Sequence, residues 1–161
     1  MLRVGIITAS DRGSKGERED LSGKVIEEMI REIGGVVEDY KILPDDLEVL
    51  KKELILMSDK GLDIIFTTGG TGLSPRDNTP EATLAVVEKL VPGIPEAMRM
   101  ASLSKTPHAM LSRAVAGIRG KTLIINLPGS PKGVRENLSV ILPAIPHAIE
   151  VLRGEVKDCG K

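Results

Sequence analysis

Four short runs rich in β-branched and apolar residues recur along the chain: Arg3 to Thr8, Gly35 to Leu43, Leu62 to Thr68 and Thr122 to Leu127. Each is closed by Gly, Pro, Asp or Ser, the pattern of strands bounded by turns. The segments between them keep a helical period. Leu21, Val25, Ile26, Met29, Ile30 and Ile33 share one stripe over Leu21 to Ile33, and Leu47, Leu50, Leu54 and Met57 share another. Apolar strands linked by amphipathic helices bury both sheet faces, so the chain is expected to form a three-layer α/β fold with a mostly parallel sheet.

Downstream, Glu81 to Leu90 and Pro95 to Ser104 read as helices. AVAGIRGKTLIINLP reads as two strands joined at Arg119-Gly120, adding one antiparallel strand to the sheet. Lys132 to Val140 and Pro143 to Leu152 complete the helical material, with Pro143 and Pro146 favouring a break between turns. No repeat, low-complexity tract or linker interrupts the pattern. At 161 residues and 41% hydrophobic content, a single domain over residues 1–161 with one compact core is expected.

In an open α/β sheet, loops leaving the carboxyl ends of parallel strands lie along one edge, where ligands bind. Four loops should meet there: SDRGSKGERED after the first strand, PDD at Pro44 to Asp46, GGTGLSPRDNT from Gly69, and PGSPKG from Pro128. Gly69, Gly70 and Gly72 allow positive φ and close approach of main-chain amides to a phosphate, and Thr71 and Ser74 add hydroxyls. Thr79 and Pro80 look like an N-cap and first-turn proline, placing the positive end of a helix behind the loop. The competing reading is a plain glycine turn. No GxxxxGK[ST] or GxGxxG pattern is present, so this is neither a Walker loop nor a dinucleotide fingerprint. In PGSPKG, Gly129 turns the chain, Ser130 caps a helix, Pro131 starts it and Lys132 adds a cation beside the amides.

Asp45 and Asp77 both follow parallel strands and should face the same crevice, where two carboxylates beside phosphate loops suit magnesium bound together with a nucleotide. Each has a structural alternative. Asp45 with Glu48 resembles a capping box, although Asp46 could cap instead, and Asp77 could pair with Arg76 at the surface. Arg12 and Lys15 could reach an anion or stay solvated. His147, in PAIPHAIEVL, reads as a packed residue, and neither it nor His108 has a partner at metal-ligand spacing. No Ser-His or Cys-His constellation supports nucleophilic catalysis.

Composition narrows the partners. The 22 Lys and Arg against 23 Asp and Glu give a net charge of −1, too balanced to attract nucleic acid or an anionic membrane through a global field. Aromatics are 1% with no Trp, which removes the stacking platforms of single-strand binders. Cys159 is a lone cysteine near the end, with no framework for a disulfide or thiolate metal site. The apolar start MLRVGIITAS is too short to span a bilayer and lacks a cleavage site, so a cytoplasmic protein is expected. The absence of Gln and the three Asn match the usage of heat-adapted proteins.

At ITASDRGSKGEREDLSG, ILPDD, TTGGTGLSPRDNTPEAT, MLSRAVAGIRGKTLIINLPGSPKG and ILPAIPHAIEVLRG the chain resembles the molybdopterin adenylyltransferase family. These are the MogA-like proteins that include the gephyrin G domain, and the likeness covers nearly the whole chain. The resemblance implies a MogA-like fold and transfer of AMP from magnesium-ATP to the terminal phosphate of molybdopterin, with release of pyrophosphate. It places the family's functional aspartates on Asp45 and Asp77, as magnesium-holding residues. Phosphate and pterin contacts fall on Gly69, Gly70, Thr71, Gly72, Ser74, Pro128, Gly129, Ser130 and Lys132, and a nucleotide role on Asp20 and Ser22. It further implies a homotrimer and a molybdenum insertase as partner. A MoaB-like protein that binds or carries the pterin without catalysis is the alternative.

Overall fold

A computed structural model describes residues 1–155; Cys159 lies outside them. Strand β1 (Leu2–Ala9) runs parallel to β2 (Gly35–Leu43) on one side and to β3 (Ile64–Thr68) on the other. β3 is followed in the sheet by β6 (Thr122–Leu127), again parallel, then by β5 (Ala116–Arg119) and β4 (Lys89–Leu90), both joined antiparallel. The order β2-β1-β3-β6-β5-β4 leaves β5 alone running against the other strands, as expected of a mostly parallel sheet with one reversed strand. The β5–β6 hairpin closes on Gly120 and Lys121, with Gly120 at φ 60°; glycine first in a two-residue turn matches the strand twist.

Strand alternation sorts the side chains into two cores. Val4, Ile6, Ile64, Phe66, Leu123, Ile125 and Leu127 face one side, where α2 (Leu21–Arg31), α5 (Gly93–Leu103), α6 (Pro131–Ile141) and α7 (Ile145–Leu152) cover them. Ile7, Ile65 and Ile124 face the other, under Leu50, Leu54 and Met57 of α3 (Leu47–Asp59) and Ala82 and Val86 of α4 (Thr79–Val86). Among the described residues no helix is long and apolar enough to cross a membrane. Asn126 is fully buried beside the second core, together with Thr67 and Thr83. Its amide donates to Thr67 Oγ1 and Thr83 Oγ1, both at 2.9 Å, and its Oδ1 accepts from Val115 N at 3.2 Å. A fully buried amide with these bonds carries no unpaired polar group and ties β3, β6 and α4 together directly behind the glycine-rich loop.

The structure corrects three local expectations. The helix expected to run to Leu90 stops at Val86, because Val87 turns extended and Glu88 N and Val91 N bond to Ile118 O and Ala116 O of β5. Lys89 and Leu90 thereby become the edge strand. Thr79 is not the cap of α4: Asn78 takes that place without a side-chain bond, and Thr79 is the first helical residue. His147 does not pack; it is exposed beside Glu150 at 3.8 Å, since Ile145 and Ile149 take the buried stripe of α7.

Candidate active site

The chain passes from β1 to β2 on one side of β1 and then crosses to β3 on the other, so the sheet reverses its winding between β1 and β3. A crevice opens at such a point, beyond the carboxyl ends of the strands. Here it is a cleft of about 380 Å³, reached by all four loops: Ser10 and Arg18 from the first, Asp45, Gly70 and Asp77, and Gly129. Asp46 caps α3 by accepting from Val49 N at 3.0 Å, which leaves Asp45 free to face the cleft. Arg76 forks onto Asp11, Nε to Oδ2 at 3.1 Å and Nη2 to Oδ1 at 2.8 Å, so it is not engaged by Asp77. Both structural alternatives for the two aspartates therefore fall to neighbouring residues.

Asp45 sits in an unfavourable field. Its Oδ2 accepts from Asp11 N at 3.1 Å, and its own N–H donates to Asp11 Oδ1 at 3.0 Å. Burial, joined by the negative charges of Asp11 and Asp77, pushes its pKa above the usual carboxylate range. Asp11 moves the other way, held down by its hydrogen bond to Arg76. Asp77 Oδ2 accepts from Ser74 N at 3.0 Å. Among the described residues neither Asp45 nor Asp77 has an ion-pair partner.

The glycine-rich loop is shaped around these acids. Gly69 and Gly70 have φ of 91° and 70°, and a Cβ on Gly70 would collide with the Thr79 hydroxyl and lie 3.3 Å from Asp45 Oδ1. Gly72, expected to need positive φ, does not adopt it; its constraint is space, because a Cβ there would stand 2.9 Å from Asp77 Oδ2. Arg113 grips the loop from behind, with Nε on Gly72 O at 2.8 Å, Nη2 on Asp77 O at 2.9 Å and Nη1 on Glu81 Oε2 at 2.6 Å. Its N–H also donates to Thr71 O at 2.9 Å.

Asp20 and Ser22 line the cleft as well, but their polar atoms are committed to the frame. Asp20 caps α2 through Gly23 N at 3.0 Å and accepts from Thr8 Oγ1 at 2.7 Å and from the Tyr40 hydroxyl. Burial, with this hydrogen bond second, raises the Tyr40 pKa. Ser22 Oγ donates to Gly129 O at 2.6 Å, joining α2 to the loop that starts α6. Ser130 caps α6 through Gly133 N at 3.0 Å.

A second cleft of about 460 Å³ lies between α5, the 3₁₀ turn Pro107–Leu111 and α6. Thr71, Gly72, Pro128 and Lys132 line it, and Ser130 lines both clefts. Its other polar side chains include Arg99, Ser102, Lys105, His108 and Asn137, with Glu136 as the one acid, 3.6 Å from Lys105, so this cleft leans basic where the first leans acidic. Ser74 lines neither and is exposed, and Arg12 and Lys15 are exposed outside the acidic cleft, where Arg18 stands instead. Reading the sequence missed the Arg99 side of the basic cleft and the Arg113 clamp. One signal was available: Pro95, Met98, Arg99 and Ser102 follow helical spacing and form one mixed face that lines the cleft.

With this geometry in hand, the comparisons with known proteins are specific. The family described as "Probable molybdopterin binding domain" matches residues 5–147. A Helicobacter pylori protein named molybdopterin adenylyltransferase is 49% identical over 156 residues, covering 95% of this chain and 89% of that one. Gephyrin of Dictyostelium discoideum is 45% identical over 96% of this chain, which spans 23% of gephyrin's length. The crystal structure of the Thermus molybdopterin biosynthesis enzyme MoaB superposes with a TM-score of 0.91 at 52% identity, over 96% of this chain and 98% of that one. The alternation of strands and helices, the paired clefts and these relatives lead to one conclusion: the chain belongs to the molybdopterin-binding domain family.

Proposed function

We propose that this protein is a molybdopterin adenylyltransferase of molybdenum cofactor biosynthesis, with the whole activity in one domain. The observation that carries the reading is the meeting of an acidic cleft and a basic cleft at one glycine-rich loop and at Ser130, in a chain 49% identical to a protein of that name. Two adjoining compartments of opposite charge suit a transfer between two phosphorylated substrates. ATP would lie in the acidic cleft, its triphosphate along the main chain of Gly69 and Gly70 and toward Gly129. Molybdopterin would lie in the basic cleft against Thr71, Gly72, Pro128 and Lys132, with its terminal phosphate toward Ser130. An oxygen of that phosphate attacks the α-phosphorus of ATP, the bond to the β-phosphate breaks, and pyrophosphate leaves with the electron pair. Nucleotidyl transfer needs mainly positioning and charge stabilisation, which a loop clamped by Arg113 can supply.

The acid pair fits magnesium. Two hard carboxylate oxygens without ion-pair partners converge beside a loop with no Cβ in the way, and Asp45 is held in a field that favours neutralisation. Among the described residues no cluster of three or more ligating side chains exists, so phosphate oxygens and water would complete the shell, as is usual for this ion. Asp45 and Asp77 would hold it, and bound there it supplies charge neutralisation of the triphosphate. Asp20 and Ser22 keep the nucleotide side of the cleft in shape rather than ligating.

The remaining assignments belong to the same reading. The protein acts in the cytoplasm, hands its product to a molybdenum insertase and assembles as a homotrimer, which would cover exposed apolar side chains such as Leu73, Met100 and Met110. Light scattering of the full chain checks the assembly. The activity is tested by incubating the protein with molybdopterin and labelled magnesium-ATP. Adenylylated pterin and pyrophosphate in equal amounts are expected; pterin binding without either product would make the protein a carrier instead.

A further inference from the structure

Among the described residues, one buried side-chain polar atom has no hydrogen-bond partner: Thr79 Oγ1. Thr79 is 1% exposed. Its main chain is satisfied, with N–H donating to Gly70 O at 3.2 Å and C=O accepting from Thr83 Oγ1 at 2.9 Å. The contrast with Thr83 one turn on is instructive, because that hydroxyl both donates to Thr79 O and accepts from Asn126. A buried hydroxyl with nothing to bond costs stability that valine, of the same shape, would not. A position that keeps the hydroxyl therefore invites the question of what it bonds to.

The surroundings suggest a partner. A Cβ built on Gly70 would meet the Thr79 hydroxyl and Asp45 Oδ1 together, so donor and acceptor flank the same missing methyl group. Among the described residues Asp45 Oδ1 also has no hydrogen-bond partner, since the bond from Asp11 N goes to Oδ2. We propose that Thr79 is a positioning residue for the acid pair: when a divalent cation is bound by Asp45 and Asp77, the Thr79 hydroxyl donates to Asp45 Oδ1 and fixes the carboxylate's orientation. A carboxylate oxygen is a strong hydrogen-bond acceptor, so this bond would satisfy the one buried hydroxyl left unpartnered among the described residues. This inference rests on the reading of Asp45 as a cation-holding residue.

The test uses the full chain, the variants Thr79→Val and Thr79→Ser, thermal unfolding without ligands, and Mn²⁺ binding in the presence of ATP followed by electron paramagnetic resonance. Thr79→Val is expected to unfold at the wild-type temperature or above it while binding Mn²⁺ about ten- to a hundredfold more weakly, the size of a lost hydrogen bond to a charged group. Thr79→Ser should restore most of the affinity. Wild-type Mn²⁺ affinity in Thr79→Val overturns the inference, whatever its melting temperature. So does a joint loss of stability and affinity that serine leaves unrepaired. If the wild-type chain itself binds no Mn²⁺ with ATP present, the cation assignment of Asp45 fails and takes this role of Thr79 with it; a wild type that binds beside an unaffected Thr79→Val leaves the cation assignment standing.

Discussion

The acidic and basic clefts share a wall yet are built in different ways. The acidic one is made by loops at the carboxyl edge of the sheet, where main-chain turns, caps and short acids stand in an order set by the strands. The basic one is made by side chains projecting from α5, a 3₁₀ turn and α6, where α5 and α6 are brought together by apolar faces that share a core. A loop-built cleft presents amides and carboxylates at fixed positions and suits a polyphosphate with a cation. A helix-lined cleft presents longer side chains around apolar residues such as Pro95 and Met98, and suits a flat, partly apolar ring carrying one phosphate.

Substitutions can break this division of labour. The largest effect is expected from Asp77→Asn: pyrophosphate release should fall by roughly a hundredfold or more, the range seen when a key electrostatic group is removed, with molybdopterin binding largely retained. Unchanged turnover would remove Asp77 from the acidic cleft's chemistry. Lys132→Met should be milder, weakening molybdopterin binding by about tenfold or less, as for loss of one exposed charge-assisted contact, and leaving ATP affinity alone. A variant that lost ATP instead would reverse the assignment of the clefts.

The smallest effect concerns stability. Asp45 has its folded-state pKa raised, chiefly by burial, so between the unfolded and folded values the native state binds more protons. Stability contributed by this group is then present below the unfolded pKa and lost as pH rises through the folded one. Asp45→Asn should therefore melt at or slightly above the wild-type temperature at neutral pH in calorimetry without ligands, with the difference vanishing in acid. A marked drop would mean that the carboxylate serves the fold.

Much of the acidic cleft was legible because its signals are local. Gly69 and Gly70 announce a turn, Ser130 before Pro131 announces a helix start, and strand alternation places both at one edge. The choice between Asp45 and Asp46 was not legible. Either could cap α3, and the outcome turns on Asp46 reaching Val49 N while Asp45 pairs its main chain with Asp11, 34 residues earlier. The end of α4 was missed for a related reason: Val86 to Leu90 keeps an acceptable helical pattern, but pairing with β5, about 30 residues downstream, offers those amides better partners. Arg113 looks like an ordinary charged residue between two apolar stretches until folding sets it against the backs of Gly72 and Asp77.

By itself the sequence determined the layering, the direction of the central strands and the edge at which ligand-binding loops gather, since hydrophobic period and turn chemistry act over a few residues. Only the tertiary structure decided which aspartate faces the cleft, which arginine holds the loop and which hydroxyl is left without a partner. Those outcomes depend on contacts between segments tens of residues apart, where distances of a few ångströms choose among groups that look equivalent along the chain.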